Sequence, residues 1–223
     1  MKICIDAGHG GSDPGTVGTS PFRVAEKAVV LQISLLLEQE LEERGHWVVM
    51  TRRTDRTLSL LARARFANRL KADLFASVHA NAAASAAVEG MEVYHFPGSR
   101  EGRRAAVAVL AGLVSAFPRH RNRGVKEANF AVLRETTMPA ILVETEFLTH
   151  PRQLEFLADP ESQKALAEAI AHGIESLSAR QRARGMSAGS RRSSRSTARP
   201  RGARWQASHR SGRRVRPVTR RSP

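Results

Sequence analysis

The chain has 223 residues and a formal net charge of +15, with one cysteine, so an intramolecular disulfide is excluded. The charge is unevenly placed: from Arg180 onward there are 15 arginines and no Lys, Asp or Glu, while the other 21 basic residues share residues 1–179 with all 21 acidic ones. The first 179 residues are therefore neutral, and the high isoelectric point describes the tail rather than the fold.

The chain opens directly into Ile3-Cys-Ile5, a short apolar run that reads as a buried strand. No charged segment followed by an apolar one precedes it, so no secretory signal is visible. No apolar run is long enough to span a bilayer. Cys4, inside that strand, reads as a small core residue and not as a nucleophile. Asp6 and Gly8 end the strand, and His9 stands in a loop of glycines. Val24–Arg44 reads as a helix, because Val30, Ile33, Leu37 and Leu41 recur on one face, and Gly45 stops it. Glu26 lies in phase with that apolar stripe, in the first turn. One reading is a charge favoured by the helix macrodipole; the other is a ligand aimed at the sheet edge that carries His9.

Trp47–Thr51 reads as a second strand, Leu58–Lys71 as a second helix, and Leu74–Val78 as a third strand ending in His79-Ala-Asn81. Continuous apolar strands imply a sheet covered on both faces. Gly90–Phe96 is a fourth strand and Arg100–Phe117 an Ala/Val/Leu-rich helix. Phe130–Leu133 and Ala140–Phe147 are the last strands, the second running through Ile141-Leu-Val to Glu144. Glu161–Ser178 is a closing helix. This order predicts one α/β domain, residues 1–179, with a twisted, mainly parallel sheet flanked by helices. Residues 180–223 are Arg/Ser/Gly/Pro-rich without an apolar period and read as a disordered basic tail.

His9, His79 and Glu144 each follow a buried strand, and Glu26 opens a helix on its inward face. In an open α/β sheet the carboxyl edge of the strands is where ligands bind. Two imidazoles and a carboxylate are the ligand types of a catalytic zinc with one position open, and a second carboxylate beside them could act as a base. Spacing alone is not diagnostic, because no HExxH pattern is present.

The phrases Ile5-Asp-Ala-Gly-His-Gly-Gly11, Ala25-Glu-Lys27, Ala67-Asn68, Ala72-Asp-Leu-Phe-Ala-Ser-Val-His-Ala-Asn81, Gly90-Met-Glu-Val-Tyr94 and Pro139-Ala-Ile-Leu-Val-Glu-Thr-Glu-Phe147 resemble the zinc-dependent N-acetylmuramoyl-L-alanine amidases of the Amidase_3 type. The resemblance spans Lys2–Ser178, in family order. It implies His9, Glu26 and His79 as ligands of one Zn2+ and Glu144 as the catalytic glutamate. It also implies peptidoglycan as substrate, cut at the amide between N-acetylmuramic acid and the L-alanine of the stem peptide. Action would then be at the cell wall, periplasmic or extracellular, by a route the chain does not reveal.

Asp6, Asn81 and the loop backbone are expected to support the ligands or the substrate. Arg63 is expected to pack, with a stem-peptide carboxylate as the alternative partner. Glu146 stands where the family commonly has Gly. It is expected to point into solvent at the strand end, the alternatives being a neighbour that raises the pKa of Glu144 or the base itself. His150, where the family usually has Asn, is expected to be a loop residue. The short Arg100–Asn129 segment leaves no room for a blocking helix, so no activator protein is expected. The basic tail suits an anionic wall polymer or another polyanion. Trp205, its one aromatic residue, argues against stacking on bases, and a solvated tail with no dedicated partner is the alternative. The rival function is a non-catalytic wall- or polyanion-binding protein acting through that tail.

Overall fold

The computed structural model describes residues 1–193, with side chains described as far as Ala179. The compact unit is Met1–Arg184. Its elements are β1 (Lys2–Ala7), β2 (Val17–Gly18), β3 (Val24–Ala25), α1 (Glu26–Glu43), β4 (Trp47–Met50), α2 (Leu60–Leu70) and β5 (Leu74–Asn81). They continue with β6 (Met91–His95), α3 (Arg100–Ala116), β7 (Asn122–Glu127), α4 (Ala131–Arg134), β8 (Ala140–Phe147), α5 (Pro151–Ala158) and α6 (Pro160–Ser193).

Six strands form one sheet in the order β4-β1-β5-β8-β6-β7. The first four run parallel; β6 pairs antiparallel with β8, and β7 parallel with β6. Both faces are covered, which is why the strands carry unbroken apolar runs. Alternation along β1 sorts its side chains: Ile3 and Ile5 join the larger core with α1, α3, α5 and α6, whereas Cys4 joins the smaller one with Ala67 of α2 and Val132 and Leu133 of α4. Burial, with the Asp6 charge adding to it, pushes the Cys4 thiol up to about 12, consistent with its reading as an inert core residue.

Four parts of the chain differ from expectation. Phe130–Leu133 is not a strand: Phe130 precedes the one-turn helix α4, whose Val132 and Leu133 are buried. A four-residue apolar run carries too little periodicity to separate the two. Asn122–Glu127 is a strand that has Val125 as its one apolar side chain, as suits a half-covered sheet edge guarded by charge. Pro151–Ala158 is a helix of its own, capped by His150, whose Nδ1 accepts from the Gln153 N–H at 3.3 Å. His150 is thus a cap rather than a plain loop residue. The α6 backbone extends past the expected end at Ser178. From residue 194 on, the expected disordered tail lies outside the described residues.

Candidate metal centre

Register brings the edge residues together. Ala7 of β1 sits beside Val78 of β5, and Val78 beside Val143 of β8, so His79 and Glu144 are register partners and the loop after Ala7 starts next to both. The Gly8 N–H donates to the Val78 carbonyl at 3.1 Å, extending the pairing by one residue. His9 then turns into the left-handed region (φ 59°), which directs its imidazole back over the sheet edge.

Glu26 is the first residue of α1 and is 3% exposed. Its Oε1 lies 3.0 Å from His9 Nε2 and 3.0 Å from His79 Nδ1, and accepts from the Ala80 N–H at 3.1 Å. Its Oε2 accepts from the Thr16 N–H at 2.9 Å. The two imidazoles meet edge-on, 4.9 Å between centroids. One ligand atom from each of His9, Glu26 and His79 lies within 4.8 Å of the others. The buried Glu26 is therefore aimed at the edge, not placed as a surface charge for the helix dipole.

The far nitrogens are also occupied. His9 Nδ1 is 2.9 Å from Asp13 Oδ2, and His79 Nε2 is 3.1 Å from Ser77 Oγ. Metal-ligating histidines commonly have such outward partners. Two glycines make room for the rings: a Cβ on Gly8 would lie 2.3 Å from His79 Cε1, and one on Gly15 2.6 Å from Glu26 Oε2 and 2.7 Å from His9 Cδ2. Arg52 and Arg63, both buried, hold the loop by its carbonyls: Arg52 Nε donates to Ala7 O at 2.9 Å and Nη2 to Gly8 O at 2.7 Å. Arg63 Nη1 donates to Ala7 O at 2.7 Å and to Asp6 Oδ1 at 2.8 Å, and Nη2 to His9 O. Arg63 thus packs, as expected.

The electrostatics follow from this crowding. Burial alone would raise Glu26, but hydrogen bonds from His79 and His9 outweigh it and hold its carboxyl far below the usual range. Burial alone would lower His9, yet its bonds to Glu26 and Asp13 carry it up to about 9. His79 is raised against its burial by Glu26 and by the charge of Glu144. Three ligand atoms drawn together by shared protons are what a divalent cation would replace.

Glu144 behaves in the opposite way. Burial, then the negative charges of Glu26 and Glu92, push its carboxyl up to about 7 against the pull of His79 and His9. Its Oε2 is shut off from solvent and has no hydrogen-bond partner among the described residues. Glu92, its cross-strand partner on β6, is saturated: Asn81 Nδ2 and Tyr94 OH donate to Oε1 at 2.7 Å each, and Arg123 Nε at 2.7 Å and Lys126 donate to Oε2. Asn81 therefore serves Glu92 and not the ligand group.

Glu146 is fully buried and does not reach solvent. It accepts from the Gly90 N–H at 2.7 Å and from its own Phe147 N–H at 3.1 Å, and lies 2.9 Å from His120 Nδ1. The alternation that would place it with Glu144 is broken by a bulge: His79 faces Glu144, but Asn81 faces Phe147.

Sequence reasoning did not single out Asp13, Ser77, Arg52 or Glu92. Ser77 was within reach, since residues two apart on a strand share a face. A cleft of about 260 Å³ adjoins the group, lined by His9, Asp13, Leu58, Leu60, Arg63 and His79 among others. A larger cavity, about 690 Å³, opens at the other end of β8 beside Phe96, Arg100 and Ala140, away from Glu144.

Residues 3–176 match the family described as N-acetylmuramoyl-L-alanine amidase (Amidase_3). The N-acetylmuramoyl-L-alanine amidase CwlM of Bacillus licheniformis is 36% identical over 176 residues, 78% of this chain and 67% of that protein. The solved structure of amidase AmiC2 of Nostoc punctiforme is 37% identical, with a TM-score of 0.75 over 79% of this chain and 96% of that one. The CwlD amidase of Clostridioides difficile, solved in complex with the GerS lipoprotein, is 26% identical with a TM-score of 0.76, over 80% and 98%. The chain belongs to the Amidase_3 family of N-acetylmuramoyl-L-alanine amidases.

Proposed function

We propose that this protein is a zinc-dependent peptidoglycan amidase that hydrolyses the amide between N-acetylmuramic acid and the L-alanine of the stem peptide. The observation that carries the reading is the convergence of His9 Nε2, Glu26 Oε1 and His79 Nδ1 beside a buried carboxyl with a free oxygen. Two imidazoles and a carboxylate fit zinc by donor type. His9, Glu26 and His79 would hold the ion, which when bound supplies Lewis acidity toward a carbonyl and a water.

The remaining steps belong to the chain's own residues. Glu144 accepts a proton from the attacking water and returns it to the leaving alanine amine. A carboxyl raised toward neutrality is suited to both halves of that transfer. Glu92, held ionised by its bonds from Lys126, Tyr94 and Arg123, keeps a negative charge near Glu144 without competing for the proton. The cleft beside His9 offers the substrate Leu58 and Leu60 as apolar walls.

Such an enzyme works at the cell wall, outside the cytoplasm. Among the described residues no helix is long and apolar enough to cross a membrane. Residues 100–127 form α3, β7 and the turn between them, with no separate blocking helix, and independence of an activator protein remains an expectation for the assay below. A polyanion partner for residues 180–223 stays an open expectation. A purely wall- or polyanion-binding role would leave the ligand group and the buried Glu144 without a purpose.

The test uses the full chain, zinc and purified peptidoglycan, with products read by mass spectrometry. Stem peptides with a free L-alanine amine should appear without any added protein, vanish on chelation and return with zinc. Glu144→Gln should keep its zinc and lose turnover. Release that survives chelation, or no release at all, would overturn the reading.

A further inference from the structure

A fully buried hydrogen-bond chain runs away from His79. Ser77 Oγ is 3.1 Å from His79 Nε2 and donates to Asp6 Oδ2 at 2.8 Å. Asp6 Oδ1 accepts from Thr51 Oγ1 at 2.6 Å and from Arg63 Nη1 at 2.8 Å. Asp6, Ser77, Thr51 and Arg63 are all at most 3% exposed. A buried network of this kind fixes the direction of every proton in it.

The directions follow from counting hydrogens. Thr51 and Arg63 occupy Asp6 Oδ1 as donors, and the Asp6 carboxylate has only acceptor sites. Ser77 has a single hydroxyl hydrogen, and it points to Asp6 Oδ2. Toward His79, Ser77 can therefore only accept, so His79 Nε2 must carry the hydrogen. Nδ1, which shares its hydrogen with Glu26 Oε1 in the absence of an ion, is then the nitrogen that would offer a lone pair once an ion displaced that hydrogen.

We propose that Asp6 and Ser77 are positioning residues that hold His79 as its Nε2–H tautomer, and thereby keep Nδ1 as the nitrogen available to the metal. This rests on the zinc reading above. His9 presents the other nitrogen, Nε2, with Nδ1 turned to the exposed Asp13. The two imidazoles thus need opposite tautomers, and only that of His79 is set by a network closed to water.

Asp6→Asn is the informative variant, because it keeps the shape and reverses the chain. The amide oxygen must take the place where Thr51 and Arg63 donate, which turns the NH2 toward Ser77. Ser77 then accepts from the amide and gives its own hydrogen to His79 Nε2. The ring hydrogen moves to Nδ1, the wrong side for a metal. Ser77→Ala only frees the ring. The double variant removes the hydroxyl that imposes the wrong tautomer.

Zinc affinity of the full chain, read by competition with a chromophoric chelator, should fall about tenfold to a hundredfold in Asp6→Asn. It should fall less in Ser77→Ala, and the double variant should bind more tightly than Asp6→Asn alone. Long-range 1H–15N spectra of the zinc-loaded wild type should show His79 protonated at Nε2. Circular dichroism and thermal unfolding of the metal-free variants control for folding. Affinity of folded Asp6→Asn within about threefold of wild type overturns the proposal, as does a double variant no better than Asp6→Asn. The wild-type spectrum tests it even if no variant folds: a hydrogen on His79 Nδ1 overturns it. If the wild type binds no zinc, the metal reading itself fails; if it binds zinc and the variants match it, this proposal alone fails.

Discussion

Replacing Glu144 with Gln should stabilise the metal-free protein above neutral pH. The carboxyl of Glu144 is buried and shares its surroundings with Glu26 and Glu92, which raises it from the usual 4.5 to about 7. The folded state therefore favours the protonated form. Between pH about 4.5 and 7 the folded protein holds more of this proton than the unfolded chain does, so stability is lost as pH rises through that window. One pKa unit is worth 1.36 kcal/mol, so the penalty above pH 7 amounts to about 3 kcal/mol. Glutamine cannot ionise and escapes it. Its amide adds its own cost for a buried unsatisfied group, about 1–3 kcal/mol, but that cost does not change with pH. The quantity to measure is the difference in unfolding free energy, Glu144→Gln minus wild type, from urea titrations between pH 4 and 8. It should grow by about 3 kcal/mol across that range, and groups common to both proteins cancel from it. Zinc should close the gap, because positive charge at His79 and His9 already pulls Glu144 down. A difference that stays flat with pH would refute the account of Glu144 as a carboxyl strained by burial and like charge.

Gly8→Ala should weaken zinc binding and cut turnover roughly a hundredfold, since a Cβ 2.3 Å from His79 Cε1 displaces the ring by about an ångström; chelator competition and peptide release check it. Arg63→Met leaves Asp6 buried without its charged partner and should cost about 3–5 kcal/mol in thermal or urea unfolding. Glu146→Gln should leave zinc affinity and the pH profile of turnover unchanged, because Glu146 bonds His120 and Gly90 rather than the site; a shifted profile would return Glu146 to the chemistry. Zinc binding near pH 7 should release protons and tighten as pH rises, since His9 stands at about 9 without the ion; calorimetry in buffers of different ionisation enthalpy reads this directly.

Much of the architecture was legible in local pattern. Unbroken apolar runs mark β1, β5 and β8, and helical periodicity marks α1 and α6; Glu26 opens α1 and His9 follows β1 as expected, whereas β5 and β8 run on past His79 and Glu144 to Asn81 and Phe147. Phe130–Leu133, read as a strand, is too short an apolar run to express a period, and β7, with one apolar side chain, gives no strand signal.

Strand ends identify residues that can meet at a sheet edge, and the sequence alone determines that much for His9, His79 and Glu144. Which of them do meet depends on strand order and register, here β1 beside β5 beside β8, and on the bulge that parts Glu146 from Glu144. The ring nitrogen each histidine turns inward depends on Asp13 in one case and on Ser77, Asp6 and Arg63 in the other. The His9–Asp13 and His79–Ser77 contacts are local, but the strand pairings and the bonds that fix Ser77 through Asp6 join residues up to 71 positions apart. Their free energy resides in contacts that exist only once the chain has closed on itself, so no local window of residues contains it.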